Sequence, residues 1–239
     1  MRSHRFYAPI ELIINTSIEL PIEAAHHCAQ VLRYKVGDHL TIFNGDGFDY
    51  EATINRITKK QCLVDISKQS FVDNESKFKI HLFQSIARGD KMDFIIKKAI
   101  ELGVNKITPI FTERCNVKLD GKRLDKKLSH WNKTVISACE QSGRSIIPKI
   151  NNPEQLIETS FDSKVTVYLE PTAIIKISEQ PFSEDINIVI GPEGGFSEKD
   201  IKQLKNKGVN GVKMGPRVLR TETAGLAAIS ILQTLHGDM

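Results

Sequence analysis

From residue 78 to the C-terminus, segments typical of buried strands alternate with segments typical of amphipathic helices. Residues 165–169 and 186–190 are near-continuous apolar runs, as expected of strands that are covered on both faces of a sheet. Parallel strands need a crossover connection, which is usually a helix. The alternation therefore predicts an α/β domain with a mostly parallel sheet.

Capping residues mark the starts and ends of the helices predicted in this part of the chain. Asp90 is positioned to cap a helix that runs to Leu102, with Gly103 at its end. Ser197 is positioned to cap a helix over 198–207, and Thr221 a final helix over 222–235. The remaining predicted elements are a helix marked by apolar residues from Leu124 to Cys139 and strands at 80–86, 106–111 and 212–214.

The first seventy residues have a different pattern. Residues 39–43, 48–54 and 61–66 are rich in β-branched or alternating apolar residues, and Asn-Gly-Asp-Gly at 44–47 predicts a hairpin turn. Residues 21–32 have helical spacing. The polar stretch 70–77 has no apolar periodicity, so we expect two domains, 1–72 and 73–239.

Composition excludes several classes of protein. No apolar run reaches the length of a membrane span, and the N-terminus has no apolar signal core, so we expect a cytoplasmic protein. The four cysteines are far apart and form no CxxC pair, and the seven histidines form no HxxH motif, so we expect no metal. The net charge of +4 comes from the part after residue 75, which weakly favours a polyanionic partner.

Two Gly- and Pro-rich loops near the C-terminus indicate a ligand site. Gly191-Pro-Glu-Gly-Gly195 and Met214-Gly-Pro-Arg217 each follow a short apolar run, and loops from adjacent strands can present many main-chain groups to one small ligand. Neither loop has the spacing of a dinucleotide fold or of a phosphate-binding P-loop. A tight strand-to-helix turn explains one or two of the glycines but not Glu193.

Charged residues suggest further contacts. Arg220 has no local structural role and could bind a phosphate or a developing anion, whereas Glu222 is explained by the dipole of the final helix. Residues 114–133 hold many basic residues, which fit either a solvated helix face or an RNA contact. Arg2, His4 and Arg5 lie beside two aromatic residues and fit either a nucleic-acid clamp or a frayed terminus.

Taken in order, these motifs resemble the ribosomal RNA small subunit methyltransferase E family, a branch of the SPOUT (trefoil-knot) methyltransferases. The resemblance includes the two loops and extends through residues 98–104, 140–144, 31–38 and the His4-Arg-Phe start. It covers nearly the whole chain. Tyr7 and Ile100 depart from the family pattern, and neither lies in the expected site.

The resemblance implies a PUA-like N-terminal β-barrel that binds RNA and a C-terminal domain with a deep trefoil knot. It also implies a homodimer, S-adenosylmethionine as methyl donor, and methylation of uridine N3 in the decoding region of 16S rRNA, within the 30S subunit. Methylation at a ring nitrogen needs no covalent attack by cysteine, which agrees with the absence of an obvious catalytic cysteine.

The motifs, the basic residues and the resemblance together give the candidate site residues. Arg220 is expected to stabilise the uridinate or a neighbouring phosphate, and Glu222 is the candidate base. The expected RNA contacts are Arg2, His4, Arg5, Arg33, Arg114, Lys118 and Arg144. The expected cofactor contacts are Leu169, Glu170, Gly191, Pro192, Glu193, Gly195, Met214, Gly215, Leu219, Arg220, Thr221 and Ala224.

Two other functions agree with parts of the sequence. A SPOUT enzyme that acts on tRNA would have the same loops but a different RNA. An RNA-binding protein without catalysis would need the basic residues but not both Gly-rich loops.

Overall fold

The computed structural model describes residues 4–117, 119–161, 163, 165–181 and 184–239, and the chain divides into two compact units. Unit 1 comprises Met1–Glu75 and Cys139–Ile147, and unit 2 comprises Ser76–Ala138 and Pro148–Met239. Unit 1 is therefore discontinuous, which a single boundary near residue 72 does not describe. The predicted limits 1–72 and 73–239 stay a prediction.

Unit 1 is built on a five-stranded sheet. Its strands occur in the order β1-β3-β4-β5-β2, and all neighbouring pairs are antiparallel except β1 with β3. The elements are β1 (Arg5–Tyr7), β2 (Ser17–Glu19), α1 (Ile22–His26), β3 (His39–Phe43), β4 (Phe48–Ile57) and β5 (Cys62–Phe71). This sheet confirms the predicted β-rich N-terminal fold.

The predicted hairpin joins β3 to β4. Gly45 and Gly47 have positive φ values of 99° and 92°, which glycine adopts without strain. The Asn44 side chain accepts a hydrogen bond of 3.1 Å from the Asp46 amide and closes the turn. The core beneath the sheet includes Leu40 and Ile54.

The predicted helix at 21–32 is in two parts. α1 ends at His26, and a π-helical turn continues over His27–Val31. Arg33 then has φ 56°, which is uncommon for a residue with a Cβ. The change of helical type explains why spacing alone did not predict where the regular helix ends.

Unit 2 is an α/β fold with a parallel sheet, which confirms the predicted fold class. The strands occur in the order β12-β10-β11-β6-β7-β8, and β9 pairs with β7. Every pair is parallel. The elements are β6 (Lys79–Ser85), α2 (Lys91–Glu101), β7 (Lys106–Phe111), α3 (Gly121–Ser142, whose end from Cys139 belongs to unit 1), β8 (Lys149–Ile150), β9 (Glu154–Gln155), β10 (Thr166–Leu169), β11 (Asp185–Ile190), α4 (Glu198–Asn206), β12 (Asn210–Val212) and α5 (Thr221–His236).

The helices bury the stripes that their sequences predict. Met92, Ile95, Ile96 and Ala99 of α2 are buried, and α2 contacts α5. Ser197 caps α4 by accepting a hydrogen bond of 3.0 Å from the Asp200 amide. The Asp200 side chain accepts a bond of 3.0 Å from the Ser197 amide in return. This reciprocal capping box fixes the point where the chain leaves the first Gly-rich loop.

Two local predictions were wrong, and a third was confirmed in position only. β12 is Asn210–Val212 rather than 212–214, because its pairing with β10 ends at Val212 and Lys213 pairs with Lys176 instead. Asp90 is at the N-cap of α2 but makes no capping hydrogen bond through its side chain. Thr221 is the first residue of α5 rather than its cap, since Arg220 occupies that position.

The connection between β10 and β11 pairs in parallel with the chain that leaves β12, through Lys176 and Lys213. The Lys213 amide donates a hydrogen bond of 3.0 Å to the Ile175 carbonyl. The Ile177 amide donates one of 2.8 Å to the Lys213 carbonyl. The turn Ile177–Glu179 also contacts α5. This path agrees with the knot that the resemblance implies, and the knot itself stays a prediction.

Candidate functional site

A cavity of about 230 Å³ opens at the carboxyl ends of β10, β11 and β12 in unit 2. Ligands of parallel α/β sheets bind at this edge, where the loops that follow the strands meet. The loops after β11 and β12 are the two Gly-rich loops. Their strands are not adjacent as expected, because β10 lies between them. The end of β10 therefore contributes a third wall, with Leu169, Glu170 and Pro171.

The structure brings together all of the expected cofactor residues except Arg220. Those lining the cavity are Leu169, Glu170, Gly191, Pro192, Glu193, Gly195, Met214, Gly215, Leu219, Thr221 and Ala224. Sequence reasoning missed further lining residues, which are Pro171, Ile190, Phe196, Val212, Lys213, Arg217 and Val218. Each of these lies within two residues of an expected one, so extending the motifs to the strand ends would have found them.

The first Gly-rich loop is shaped by two of its glycines. A Cβ on Gly191 would lie 3.2 Å from the Phe196 ring, so glycine lets that ring pack against the end of β11. Gly195 has φ 68° and is free to adopt it. Its amide donates a hydrogen bond of 2.9 Å to the Pro192 carbonyl and closes the loop. At Gly195 and Gly215 an added Cβ would meet no heavy atom within 4 Å, so these two glycines leave space for a ligand.

Thr221 joins the loop after β11 to the start of α5. Its hydroxyl donates a hydrogen bond of 2.7 Å to the Gly191 carbonyl. The same oxygen accepts one of 3.0 Å from the Gln84 side chain, which lies near the end of β6. Gln84 is fully buried and Thr221 is 4% exposed, so solvent does not compete for these bonds.

Arg114 stabilises the first Gly-rich loop through main-chain contacts. Its guanidinium donates hydrogen bonds of 3.0 Å to the Gly194 carbonyl and 3.3 Å to the Phe196 carbonyl. Sequence reasoning expected Arg114 to contact RNA. The structure places it where it also supports the loop that lines the cavity.

Three charged side chains lie together beside the cavity. Lys91 Nζ is 3.3 Å from Glu222 Oε1 and 3.9 Å from Glu193 Oε1. The Arg88 amide donates a hydrogen bond of 3.3 Å to the same Glu193 oxygen. The pKa of Glu222 is lowered by the bond from its own backbone amide and by the nearby charges of Lys91 and Arg220. Its carboxyl is therefore held in the ionised form.

Arg220 is the N-cap residue of α5 and its side chain is exposed. Its carbonyl accepts hydrogen bonds of 2.9 and 2.8 Å from the amides of Thr223 and Ala224. The backbone is thus fixed by the first turn of the helix. The guanidinium extends from a rigid point close enough to Glu222 to lower its pKa.

Two of the expected RNA contacts are exposed on unit 1. His4 is exposed, and its ring nitrogen Nδ1 lies 2.7 Å from the Tyr34 hydroxyl. Arg33 is exposed directly after the π-helical turn. Arg2 and Lys118, which were also expected to bind RNA, lie outside the residues that the structure describes.

Arg5 and Arg144 instead hold unit 1 together. Arg5 pairs with Asp49 and lies over the Phe43 ring at 4.7 Å from its centroid. Arg144 is 4% exposed and binds both carboxylate oxygens of Glu75 at 2.7 and 2.5 Å. Such bidentate pairs fix geometry as well as charge. Both guanidinium groups are thus occupied within the unit.

The structure also bears on metal ligands, membrane-spanning helices and cysteines. Within the described ranges, no group of three or more His, Cys, Asp or Glu could hold a metal ion. No helix in the described part of the chain is long and apolar enough to cross a membrane. The four cysteines are free, and Cys28, Cys62 and Cys139 are buried.

Comparisons with protein families match both parts of the chain. Residues 74–233 match a family described as RNA methyltransferase domain. Residues 20–67 match one described as RNA methyltransferase PUA domain. The second match identifies the β-rich N-terminal fold as PUA-like.

Curated relatives match all or most of the chain. The chain is 40% identical to ribosomal RNA small subunit methyltransferase E of Buchnera aphidicola subsp. Schizaphis graminum, covering 100% of the chain and 98% of the relative. It is 32% identical to the protein of the same name from Bacillus subtilis, covering 90% and 91%.

Solved structures give the same result. A protein from Legionella pneumophila, in complex with the bound cofactor SAM, is 40% identical with a TM-score of 0.97 and full coverage of both chains. Ribosomal RNA small subunit methyltransferase E from Neisseria gonorrhoeae, bound to S-adenosyl methionine, is 38% identical with a TM-score of 0.95 and 99% coverage of both chains.

Proposed function

Because the chain belongs to the ribosomal RNA small subunit methyltransferase E family, we propose that it transfers a methyl group from S-adenosylmethionine to N3 of a uridine in the decoding region of 16S rRNA. The observation that carries the proposal is the cavity formed by the loops after β10, β11 and β12. It lies in the part of the chain that matches the RNA methyltransferase domain.

The residues of the cavity fit S-adenosylmethionine. Leu169, Met214 and Leu219 offer apolar contacts, and the Gly-rich loops offer main-chain donors and acceptors. Gly195 and Gly215 leave space in which a ligand can approach the backbone. The Glu193 carboxylate supplies negative charge to a cofactor that carries a sulfonium and an amino group.

The proposed roles of Arg220 and Glu222 follow from their charges. S-adenosylmethionine supplies an electrophilic methyl group, so the protein must orient the uridine and help to remove the N3 proton. Arg220 cannot act as a base, because its guanidinium stays protonated. We assign it to stabilise the uridinate or a neighbouring phosphate. Glu222 is the proposed base, and its carboxylate is ionised before the reaction begins.

The RNA is proposed to contact basic side chains in each unit. His4 and Arg33 are exposed on unit 1. On α3, Lys122 and Lys126 are exposed, and helical spacing sets them on the face opposite the buried Trp131. Basic side chains along one helix face match the phosphates of an RNA strand. Arg5 and Arg144 are not included, because their charges are paired within unit 1.

We also propose that the protein acts in the cytoplasm as a homodimer, with domains at 1–72 and 73–239, and that it modifies 16S rRNA within the 30S subunit. The resemblance supports the homodimer. So does the exposure of Phe94 on α2 and Leu235 on α5, since these two helices pack together. Large exposed apolar side chains are common at such interfaces.

Transfer of a labelled methyl group tests the function. Purified protein is mixed with labelled S-adenosylmethionine and, in parallel, with 30S particles lacking the modification, naked 16S rRNA and total tRNA. We expect label in 30S particles and little in tRNA. Label in tRNA alone would support the tRNA enzyme, and the absence of cofactor binding would support an RNA-binding protein without catalysis.

Substitutions test the two assigned roles. Arg220→Ala and Arg220→Lys are compared with the unchanged protein under single-turnover conditions, with S-adenosylmethionine affinity measured beside the rate. Full transfer by both variants would contradict the role of Arg220. Glu222→Gln tests the base, and an unchanged dependence of the rate on pH would remove Glu222 from that role.

A further inference from the structure

The first residue of α2 is linked to both sides of the candidate site. Lys91 Nζ lies 3.3 Å from Glu222 Oε1 and 3.9 Å from Glu193 Oε1. Glu193 belongs to the loop after β11 and lines the cavity, whereas Glu222 belongs to the first turn of α5. One ammonium group therefore connects three elements that are distant in sequence.

This arrangement differs from an ordinary surface ion pair. Two carboxylates that share one ammonium repel each other unless that charge is present. The Glu222 side chain is 17% exposed and that of Glu193 29%, so water only partly screens the repulsion. In the described part of the chain, Glu222 Oε2 is buried and accepts no hydrogen bond, so only its other oxygen is engaged.

We propose that Lys91 is a positioning residue that holds the carboxylates of Glu193 and Glu222 in place beside the cavity. The proposal rests on the proposed function, because it assigns Lys91 to the same site. Lys91 itself is not proposed to contact the reacting atoms. Its effect is exerted through the two carboxylates.

Removing the ammonium has a defined electrostatic result. The pKa of Glu222 is lowered first by its own backbone amide and then by Lys91 and Arg220, against the opposing effect of burial. Without Lys91 the pKa of Glu222 rises, so its ionised form is lost at a higher pH. The acid limb of the methyl-transfer rate then moves to higher pH if Glu222 is the base.

The test compares Lys91→Met, which keeps the length of the side chain, with Lys91→Arg, which keeps its charge. Lys98→Met is the matched control, since Lys98 pairs with Glu101 on the same helix at 2.6 Å and is not a residue of the site. The Lys91 side chain is 39% exposed, so we expect a decrease of about fivefold in the single-turnover rate of Lys91→Met at neutral pH. We also expect the acid limb of its pH–rate profile to lie at higher pH than in the unchanged protein. The rates and pH–rate profiles of Lys91→Arg and of Lys98→Met should be close to those of the unchanged protein.

A double-mutant cycle with Glu222→Gln separates positioning from a general loss of structure. We expect the effects of Lys91→Met and Glu222→Gln to be non-additive, since both act on one carboxylate. Thermal melting of each variant reports folding. An unchanged rate and acid limb in Lys91→Met, or additive effects in the cycle, would overturn the role of Lys91. Failure of the proposed function is distinguishable, because the unchanged protein would then transfer no methyl group.

Discussion

The Thr221 hydroxyl donates a hydrogen bond of 2.7 Å to the carbonyl oxygen of Gly191 and accepts one from Gln84. The first residue of α5 is thereby fixed to the first residue after β11. Gly191 and Thr221 both line the cavity. The bond therefore sets the distance between two of its walls, and Arg220 and Glu222 stand on either side of Thr221.

Replacing Thr221 with Val removes the hydroxyl and keeps the shape of the side chain. The Gly191 carbonyl and Gln84 each lose a buried partner, so we expect S-adenosylmethionine to bind about fivefold more weakly. Thr221→Ser keeps the hydroxyl and should bind nearly normally. Calorimetric titration of both variants measures the difference.

Thr234→Val is the control for that experiment. Thr234 lies on the same helix, and its hydroxyl donates a bond of 2.8 Å to the Ser230 carbonyl at an exposed position. We expect no change in cofactor affinity. Equal losses in Thr221→Val and Thr234→Val would mean that the bond to Gly191 has no particular role.

Gly215→Ala separates binding from folding. Gly215 lines the cavity, and an added Cβ would meet no heavy atom of the protein within 4 Å. The stability should change by less than about 0.5 kcal/mol. The affinity for S-adenosylmethionine should fall about tenfold, because the methyl group takes space from the ligand. An alanine variant with normal affinity would show that this space is not used.

Arg114→Met distinguishes two roles for one residue. Its guanidinium holds the carbonyls of Gly194 and Phe196, so we expect the variant to bind S-adenosylmethionine about fivefold more weakly. RNA affinity and its salt dependence are measured beside it. A loss of RNA affinity with normal cofactor binding would favour the role predicted from the sequence.

Arg144→Met should destabilise unit 1 rather than weaken RNA binding directly. The substitution leaves Glu75 without its bidentate partner in a site where Arg144 is 4% exposed. We expect a loss of about 3 kcal/mol in the free energy of unfolding. Urea unfolding measures it, and the double variant with Glu75→Gln should recover part of the loss. Normal stability together with weakened RNA binding would contradict this assignment.

Glu140 predicts how stability depends on pH. Burial raises the pKa of its carboxyl, against the opposing effects of the Tyr7 amide, which donates a bond of 3.0 Å, and of Arg5. A raised pKa in the folded state means that the folded protein binds the proton more tightly than the unfolded chain does. The stability from this group is complete below the ordinary glutamate pKa of about 4.3 and is lost as pH rises through the folded value.

Glu140→Gln removes that dependence, since the amide is neutral at every pH and still accepts the bond from Tyr7. We expect its melting temperature to exceed that of the unchanged protein at pH 7, and the difference to shrink towards pH 4. Melting curves at several pH values measure this. A variant that is less stable at pH 7 would show that the ionised carboxylate is stabilising.

The sequence predicts most of what depends on local chemistry. Buried runs predict β10 and β11, and Ser197 as a capping residue predicts the start of α4. The two Gly- and Pro-rich loops predict where the cavity lies. These features depend on residues close in sequence, which a pattern records.

Other features depend on contacts between distant residues. Threonine is a residue type that often caps helices, but the Thr221 hydroxyl donates a hydrogen bond to the carbonyl of Gly191, thirty positions earlier in the sequence. Arginine is a residue type that often contacts RNA phosphates, but the Arg144 guanidinium forms an ion pair with Glu75. Lys91 is one of many lysines in the sequence, and only the fold brings it to Glu193 and Glu222. Sequence spacing carries no record of these pairings.

Identification of the methylated nucleoside is the most direct test that uridine N3 is the site of reaction. RNA from 30S particles treated with the protein and labelled S-adenosylmethionine is digested to nucleosides and separated beside standards. We expect the label in 3-methyluridine. Label in 5-methyluridine, in a 2′-O-methylated nucleoside or in another base would contradict the assignment of uridine N3 as the site of reaction.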